Sequence, residues 1–344
     1  MKIAMLAPPW IKVPPAGYGG IEWVVHYLTE SLVERGHEVT LFASGDSATS
    51  AELDAVFFEE MPDRIGHSLY EVQHVSACMR RAGEFDLIHD HSGFAAVAFA
   101  PYIDTPLVHT LHGPFTPDTS RFYQSLRDAA HYVAISEYQR GCCPELNYAG
   151  TVYNPIDVST WPFVESSAKG DYLLAFGRFS PDKGFHTAIE VAREAGERLI
   201  MAGAVQNVNR DYFETVINPL VDGDRIQYVG EVSLSAKWKL FAEARAFLFP
   251  IQWPEPFGLV MIEAMATGTP VIAFPEGSVP EVVADGVTGF VVPDSAGMVE
   301  AISRVGEIDA QACRDYVIDK FSVSRATSGY EEVYSRVLAG GARG

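Results

Sequence analysis

The sequence is poor in basic residues and contains no long apolar run. It has 25 Lys and Arg against 45 Asp and Glu, a formal net charge of −20 that is divided evenly between its two halves. No basic stripe is visible, which argues against a surface for nucleic acid or for an anionic bilayer. No apolar segment approaches the ~20 residues of a membrane span. The composition therefore predicts no nucleic-acid partner and no integral membrane contact.

Cysteine is also scarce, with four residues in 344. Cys78, Cys142, Cys143 and Cys313 show no metal-ligand spacing, and the adjacent pair is more typical of buried small side chains than of a redox centre. The N-terminus has one Lys and a short apolar run that ends in prolines, so it predicts a buried strand and lacks the features of a signal peptide. Together these observations predict a cytoplasmic protein.

Apolar strands alternate with amphipathic helices, a pattern that predicts an α/β fold with parallel sheets covered on both faces. The composition changes near residue 154, so we expect two doubly wound domains. The N-terminal domain is predicted over residues 1–155, a linker over 156–170 and the C-terminal domain over 171–320. Such domains bind their ligands at the carboxyl ends of the strands. We therefore expect the ligand in a deep cleft at which the two domains face each other.

Two glutamates separated by seven residues occur in the segment 253–270, WPEPFGLVMIEAMATGTP. Glu255 precedes a Pro-Phe-Gly turn, and Glu263 is expected about two turns into the helix that follows. A carboxylate near a helix start can accept hydrogen bonds from hydroxyls, and the free amides of Phe257, Gly258 and Leu259 suit a phosphate. The segment therefore predicts a site for a nucleotide-linked sugar. The alternative is an ordinary amphipathic helix with Glu263 on its solvent face.

A glycine-containing loop follows the first strand of each predicted domain. Gly19 and Gly20 precede the first helix, where backbone amides can approach an anion closely, although a flexible turn is the alternative. This loop departs from the G-x-G-x-x-G pattern, which argues against a nicotinamide site. In the second loop, Arg178 and Lys183 suit the charge of a diphosphate leaving group, and a solvated basic loop is the alternative.

Histidines follow two of the strands predicted in the N-terminal domain. His112 comes after the strand 107–110, and the string His-Asp-His-Ser-Gly, residues 89–93, follows another strand end. His89 and His91 would share one face of an extended segment, but no third metal ligand is evident. We therefore expect a hydrogen-bonding pocket wall without a metal, with His91 as a candidate pocket residue.

In combination, these motifs resemble the signature of retaining glycosyltransferases of family 4. The resemblance lies in the Glu-x7-Glu spacing with Phe-Gly after the first Glu, in the following Glu-Ala-Met-Ala-x-Gly-x-Pro-Val-Ile, and in the Gly-Gly and Gly-Arg…Lys-Gly loops. It implies the GT-B fold, in which two Rossmann-like domains face each other and a C-terminal helix, here residues 321–340, packs back on the N-terminal domain. It also implies transfer of a hexose from a nucleoside diphosphate sugar with retention, without a metal or another cofactor.

The same resemblance assigns roles to individual residues. Arg178 and Lys183 would bind the donor phosphates, Glu255 would take a hydroxyl of the transferred sugar, and His112 would line the sugar pocket. Glu263 would take the ribose hydroxyls. The remaining residues predicted to bind the donor are Gly19, Gly20, Gly203, Phe257, Gly258 and Leu259.

The resemblance extends less far for the two substrates. The strings Tyr-Gly-Gly-Ile-Glu-Trp-Val-Val and His-Asp-His-Ser-Gly are similar to those of bacterial enzymes that use UDP-sugars, which favours a donor of UDP-glucose type over GDP-mannose. The acceptor is expected to be a soluble sugar, glycan or small molecule. The alternatives are a GT-B nucleotide-sugar epimerase and a non-catalytic nucleotide-sugar-binding protein, although the latter would have no reason to retain Arg178 and Lys183.

Overall fold

The computed structural model describes residues 1–17 and 19–341 and divides the chain into two compact units. The first unit comprises Met1–Ile156 and the chain from Val323 onward, and the second comprises Asp157–Ser322. Residues 157–170, expected to be a linker, belong to the second unit. Lys169 shows why, because its ammonium donates to the carbonyls of Ala242 and Thr267 and to the hydroxyl of Thr269 at 2.8–2.9 Å.

A parallel sheet forms the centre of the first unit. Its strands are β1 (Lys2–Leu6), β2 (Glu38–Phe42), β3 (Glu52–Asp54), β4 (Leu87–Asp90), β5 (Leu107–Thr110), β6 (His131–Ala134) and β7 (Tyr148–Thr151). They lie in the order β3-β2-β1-β4-β5-β6-β7. Along β1, Ile3 and Met5 enter one buried cluster and Ala4 and Leu6 enter another, as the two-residue period of a strand requires. Both faces are thus covered, which explains the continuous apolar runs in the sequence.

Helices cover both faces of this first sheet. In chain order up to residue 156 they are α1 (Gly20–Glu34), α2 (Ser68–Arg80), α3 (Phe94–Phe99), α4 (Pro117–Ser125) and α5 (Glu137–Cys142). Val25 and Leu28 of α1 pack with Ile3, whereas Val75 and Cys78 of α2 pack on the opposite face.

The second unit repeats the architecture with six parallel strands among its described residues. They are β8 (Tyr172–Phe176), β9 (Arg198–Ala202), β10 (Ile226–Tyr228), β11 (Ala246–Phe249), β12 (Val271–Ala273) and β13 (Gly289–Val291), in the order β10-β9-β8-β11-β12-β13. The helices are α6 (Phe185–Ala195), α7 (Arg210–Tyr212, continued by a π-helical turn Phe213–Ile217), α8 (Leu234–Glu243), α9 (Leu259–Ala266), α10 (Val279–Val282), α11 (Ser295–Ser303) and α12 (Ala310–Phe321). The predicted α/β class is confirmed.

The last helix, α13 (Val323–Gly341), packs on the first unit and starts two residues later than expected. Tyr330 and Tyr334 are buried in the same cluster as Val25 of α1. Glu331 then links the helix to the end of α1, because its carboxylate lies 2.5 Å from Nη1 of Arg35 and 2.9 Å from Nε2 of His37. The expectation that the C-terminal helix returns to the N-terminal domain is confirmed. Over the described ranges, no helix combines the length and apolarity needed to cross a membrane.

Several short elements carry no periodic signal in the sequence. The helices α3 and α5 have six residues and α4 has nine, whereas an amphipathic period becomes visible only over about eleven or more. The strand β3 is the polar tripeptide ELD at one edge of its sheet, and β7 contains Gly150 at the other edge. Edge strands of this kind lack the buried alternation from which the other strands are predicted.

Candidate functional site

The strand order of the second unit reverses between β8 and β11. The chain runs outward from β8 to β9 and β10 and then returns to β11 on the other side of β8. The loops after β8 and β11 therefore leave the sheet side by side at the carboxyl ends of their strands, where doubly wound sheets bind ligands. The first of these loops contains Arg178 and Lys183, and the second contains Glu255.

Lys183 and Glu255 contact each other across these two loops. Nζ of Lys183 lies 2.5 Å from Oε2 of Glu255, and Nε1 of Trp253 donates to the same oxygen at 3.1 Å. The ammonium also lies 5.1 Å from the centre of the Trp253 ring. The Lys183 and Glu255 side chains are only 16% and 13% exposed, so water screens their attraction little. Two residues that the sequence predicts as catalytic thus form one ion pair.

A close backbone approach brings the two loops together. Gly184 has φ +70°, and a Cβ at this position would collide with the carbonyl oxygen of Pro250. The amide of Gln252 in turn donates to the carbonyl of Asp182 at 2.8 Å. Because no side chain fits between the loops at residue 184, the glycine that follows Lys183 is what allows the ammonium to reach Glu255.

Arg178 lies in the same loop as Lys183 and is partly buried. Among the residues that the structure describes, no carboxylate pairs with its guanidinium. Gly177, which precedes it, has φ +151° and open space around the position of a Cβ. An unpaired guanidinium is a strong donor for a phosphate or carboxylate, so Arg178 is free to bind an anion.

Glu263 is the fifth residue of α9 and therefore lies just over one turn into the helix, nearer its start than expected. Its side chain is 13% exposed, so the alternative of a solvent-facing glutamate is wrong. Oε1 lies 2.6 Å from Nζ of Lys237 on α8. Oε2 is buried and has no hydrogen-bond partner in the described part of the chain. Lys237 was missed at the sequence level, because nothing local in α8 distinguishes it from the exposed Lys239.

The start of α9 offers backbone donors. Gly258 caps the helix in the left-handed conformation with φ +79°, and the amides of Gly258 and Leu259 donate to no carbonyl of the described residues. Phe257 is 2% exposed, and its ring packs 5.7 Å from that of Phe321. Ser278 fixes the loop, because its amide donates to the carbonyl of Glu255 and its hydroxyl to that of Phe257, both at 2.9 Å.

Gly203, after β9, is explained by packing within the protein. It has φ +137°, and a Cβ there would collide with the carbonyl oxygen of Gly177. Its amide donates to the carbonyl of Gly230 at 3.0 Å. The loops after β8, β9 and β10 are thus pressed together at this glycine. Its predicted contact with a nucleotide stays a prediction.

The strand order of the first unit also reverses, between β1 and β4. The loop after β1 ends at Gly19, which has φ +151° and precedes α1 without a side-chain cap, and α1 starts at Gly20. Glu22 in the first helical turn is buried, and a Cβ on Gly19 would lie 2.9 Å from its Oε2. Burial, helped by the charge of Glu60 and opposed by a backbone hydrogen bond, raises the pKa of Glu22 to about 7. Glu22 is not among the residues predicted from the sequence, and its only local signal is an acidic residue two positions after Gly-Gly.

His91 follows β4 and His112 follows β5, and their rings form a pair. Nδ1 of His91 lies 2.8 Å from Nε2 of His112. Burial, with a smaller contribution from the charge on His109, lowers the pKa of His112 to about 3. Burial and the neighbouring histidines hold the pKa of His91 well below its usual value. Both rings are therefore neutral at pH 7, and one donates its single N–H to the other.

His89 lies within β4 rather than after its end. Its Nδ1 pairs with the hydroxyl of Tyr334 at 2.7 Å and its Nε2 with that of Thr110 at 2.8 Å, so both ring nitrogens are satisfied inside the unit. The rings of His89 and His91 share a face, as expected, with their centres 4.2 Å apart. Within residues 1–17 and 19–341, no group of three or more His, Cys, Asp and Glu side chains could hold a metal ion.

A fully buried pair, Asp90 and His109, supports this histidine cluster. Oδ2 of Asp90 lies 2.5 Å from Nδ1 of His109, and Oδ1 accepts hydrogen bonds from the amide and hydroxyl of Ser92. Nε2 of His109 contacts the hydroxyl of Tyr123 at 3.2 Å. These bonds fix the chain where it leaves β4. In the sequence, Asp90 and His109 are each recognisable as a charged or polar residue that follows apolar residues in a buried strand.

The sequence contains one Asp-x-Asp triplet, Asp222-Gly223-Asp224, a spacing that can serve a divalent cation. In the structure, Asp222 instead accepts hydrogen bonds from the amides of Asp224 and Ile226 at 2.9 Å, in the turn before β10. These backbone donors lower the pKa of the Asp222 carboxyl. The triplet therefore works as a turn cap in this structure.

Known proteins are similar to this chain in sequence and in fold. The family model described as "Glycosyltransferase Family 4" matches residues 18–160, and the model described as "Glycosyl transferases group 1" matches residues 158–316. A phosphatidyl-myo-inositol mannosyltransferase of Mycolicibacterium smegmatis is 26% identical over 99% of this chain and 95% of its own.

Solved structures match over nearly the whole chain as well. AviGT4, a glycosyltransferase involved in avilamycin A biosynthesis, is 28% identical with a TM-score of 0.76, over 98% of both chains. HepE of Anabaena, solved in complex with UDP-glucose, is 22% identical with a TM-score of 0.73, over 98% of this chain and 100% of that one. The two family models together reach from residue 18 to residue 316, across both units, and the chain therefore belongs to the glycosyltransferases of family 4, with the GT-B fold.

Proposed function

We propose that this glycosyltransferase transfers a hexose from a UDP-sugar of UDP-glucose type to a hydroxyl of a soluble sugar, glycan or small-molecule acceptor. Transfer proceeds with retention of the anomeric configuration and needs no metal. The observation that carries the proposal is the contact between Lys183 and Glu255 at the reversal of strand order. It joins a cation suited to a leaving phosphate and a carboxylate suited to a sugar hydroxyl.

The cations take the place of a metal ion in this proposal. When the bond between the sugar and the diphosphate opens, negative charge grows on the leaving phosphate. Arg178, which has no ion-pair partner among the described residues, binds the phosphates together with Lys183. The amides of Gly258 and Leu259 at the start of α9 add neutral donors with a positive helix end behind them.

The carboxylates hold the two sugars of the donor. Glu255 accepts a hydrogen bond from the transferred hexose and stabilises the positive charge that develops on its ring. Glu263 accepts from the ribose hydroxyls through Oε2, which has no partner of its own in the described residues. The acceptor hydroxyl attacks the face from which the phosphate leaves and passes its proton to that phosphate, so no protein nucleophile is required.

In the first unit, His112 and the Gly19-Gly20 loop stand at strand carboxyl ends near a second reversal of strand order. We propose that His112 contacts the transferred sugar as a neutral hydrogen-bonding group. Its pKa of about 3 fits this role, because a ring that stays neutral at pH 7 cannot supply a proton as a general acid.

The choice of donor follows from what similar proteins bind. HepE, whose fold this chain shares, was solved with UDP-glucose, whereas the Mycolicibacterium relative is by name a mannosyltransferase. We therefore rank a UDP-glucose-type donor first and GDP-mannose second.

A thermal-shift panel of nucleotides and nucleotide sugars, with and without EDTA, tests the donor and the metal independence together. A ligand that binds only the folded protein at 100 times its Kd adds about 2.7 kcal/mol of stability. We expect UDP and UDP-glucose to raise Tm by several degrees, GDP to raise it less, and EDTA to change neither result. Absence of a shift with every nucleotide would remove the donor site, and loss of the shift in EDTA would contradict metal independence.

Product analysis separates transfer from the two alternatives. A retaining transferase forms a glycoside with the anomeric configuration of the donor, which NMR of the product reads directly. An epimerase would convert the nucleotide sugar without an acceptor, and a non-catalytic protein would bind the donor without turnover. Screening sugar, glycan and small-molecule acceptors against the preferred donor therefore decides among the three.

A further inference from the structure

Lys237 and Glu263 form a second sheltered ion pair in the second unit, between α8 and α9. Nζ of Lys237 lies 2.6 Å from Oε1 of Glu263, and the two side chains are 20% and 13% exposed. The other carboxylate oxygen, Oε2, is buried and lacks a hydrogen-bond partner among the described residues. A buried carboxylate oxygen without a donor is costly, so a ligand hydroxyl that donates to it would stabilise the site.

Aromatic rings restrict where the Lys237 ammonium can lie. It is 5.1 Å from the ring centre of Phe176, 5.6 Å from that of Trp161 and 5.9 Å from that of Phe241. These distances are within the range of cation–π attraction. Phe176 is the last residue of β8, so the ammonium is held beside the strand whose loop contains Arg178 and Lys183. An ammonium confined in this way can anchor one carboxylate oxygen, Oε1, while the carboxylate turns about that contact.

We propose that Lys237 is a positioning residue for ribose recognition. It holds Glu263 through Oε1 and leaves Oε2 to accept from the ribose hydroxyls of a nucleotide, so the inference rests on the proposed nucleotide-sugar function. Reaching Oε2 requires a rotation of the carboxylate, which a single contact through Oε1 permits. Without the ammonium, Glu263 would be a sheltered charge with no counter-ion, and it would take up a proton or turn toward water. Either change removes the acceptor from the ribose.

The consequence is a preference for ribose that depends on Lys237. When the ribose lacks a hydroxyl, a hydrogen bond to a charged group is lost. This loss raises Kd by roughly tenfold to hundredfold. We expect the folded protein to bind UDP at least about tenfold more tightly than 2′-deoxy-UDP or 3′-deoxy-UDP. In Lys237→Met this ratio should fall below about threefold, because Glu263 no longer presents Oε2.

Isothermal titration of UDP and the two deoxy analogues measures these ratios directly. Lys239→Met is the matched control, because Lys239 lies on the same helix, is 72% exposed and pairs with Glu243 at 3.8 Å. It should keep the full preference for ribose. If Lys237→Met does not fold, Lys237→Gln takes its place, because Gln removes the charge but keeps a polar side chain, and its preference for ribose should fall as well.

The outcomes distinguish the inference from the function on which it rests. If the unaltered protein binds no nucleotide at all, the proposed donor site is wrong. If it binds UDP and the deoxy analogues equally, Glu263 does not read the ribose and the inference fails. If it prefers UDP and Lys237→Met, or Lys237→Gln in its place, keeps that preference, the nucleotide site stands but Lys237 has no part in ribose recognition.

Discussion

Replacing Glu255 with Gln should tighten the binding of UDP while it slows transfer. In the free protein, Glu255 holds the ammonium of Lys183 at 2.5 Å, and Trp253 supports the same carboxylate oxygen. A diphosphate must draw Lys183 away from this partner. Glutamine removes the competing charge but keeps an oxygen that can accept from Trp253. The two effects therefore have opposite signs, which loss of folding could not produce.

The magnitude follows from the sheltered geometry of the pair. Two unit charges about 4 Å apart attract by about 4 kcal/mol at an effective dielectric constant of 20. Part of that attraction offsets the desolvation of both groups, and the amide oxygen of Gln retains a neutral hydrogen bond. A net gain of about 1–2 kcal/mol remains for the diphosphate, or roughly fivefold to thirtyfold in Kd. For turnover, loss of the carboxylate beside a developing positive charge should cost roughly 10²–10³ in kcat.

Titration calorimetry with UDP and a transfer assay with the preferred donor give the two numbers. Glu243→Gln is a suitable control, because it neutralises a half-exposed glutamate that also pairs with a lysine, and it should change neither value. Weaker binding of UDP to Glu255→Gln would show that the carboxylate does not compete for Lys183. Unchanged turnover would remove Glu255 from the catalytic residues.

Two further predictions concern stability. Gly184→Ala should lower the free energy of unfolding, measured with urea, by at least about 2 kcal/mol more than Gly196→Ala does. Both glycines have φ +70°, but only a Cβ at residue 184 would collide with a carbonyl. Equal losses for the two variants would mean that the two loops are not closely packed at Pro250. Glu22→Gln should stabilise the protein relative to the unaltered chain at pH 8 but not at pH 5. The folded-state pKa of Glu22 is raised to about 7 from 4.5, so its contribution to stability falls as pH rises through that interval, by up to about 3 kcal/mol. Glu34→Gln, at the exposed end of the same helix, is the control, and a pH-independent effect of Glu22→Gln would contradict the burial argument.

The parts of the fold that could be predicted are those with a local cause. The run at Leu107–Thr110 forms a strand with the expected bounds, because a strand buried on both faces is recognisable from its apolar run. The Glu-x7-Glu segment was recognisable for a similar reason, since the turn and the start of α9 are adjacent in the chain. Short edge strands and helices of six to nine residues have no comparable local signature.

The contacts inside the site depend on strand order, which one sequence does not display. Lys183 and Glu255 are 72 positions apart and meet because β11 lies beside β8. Lys237 reaches Glu263 because α8 and α9 are packed together, and in the sequence it resembles Lys239 two positions later. For Gly203 the family resemblance predicts a contact with the nucleotide. Packing within the protein already requires a glycine there, because a Cβ would collide with the carbonyl of Gly177.

The loops near the reversal of strand order carry different chemical groups in the two units. At the reversal in the second unit, the loops carry Arg178, Lys183 and Glu255, and sheltered charges of this kind bind and stabilise other charges. At the reversal in the first unit and on the strand beside it, the polar groups after β4 and β5 are His91 and His112, whose pKa values are held far below 7 by burial. A diphosphate needs cations, whereas hydroxyl groups need neutral donors and acceptors that do not change charge with pH. The buried Asp90–His109 pair fits this division, because its hydrogen bonds hold the segment that carries His91 while the charge on His109 opposes protonation of His112.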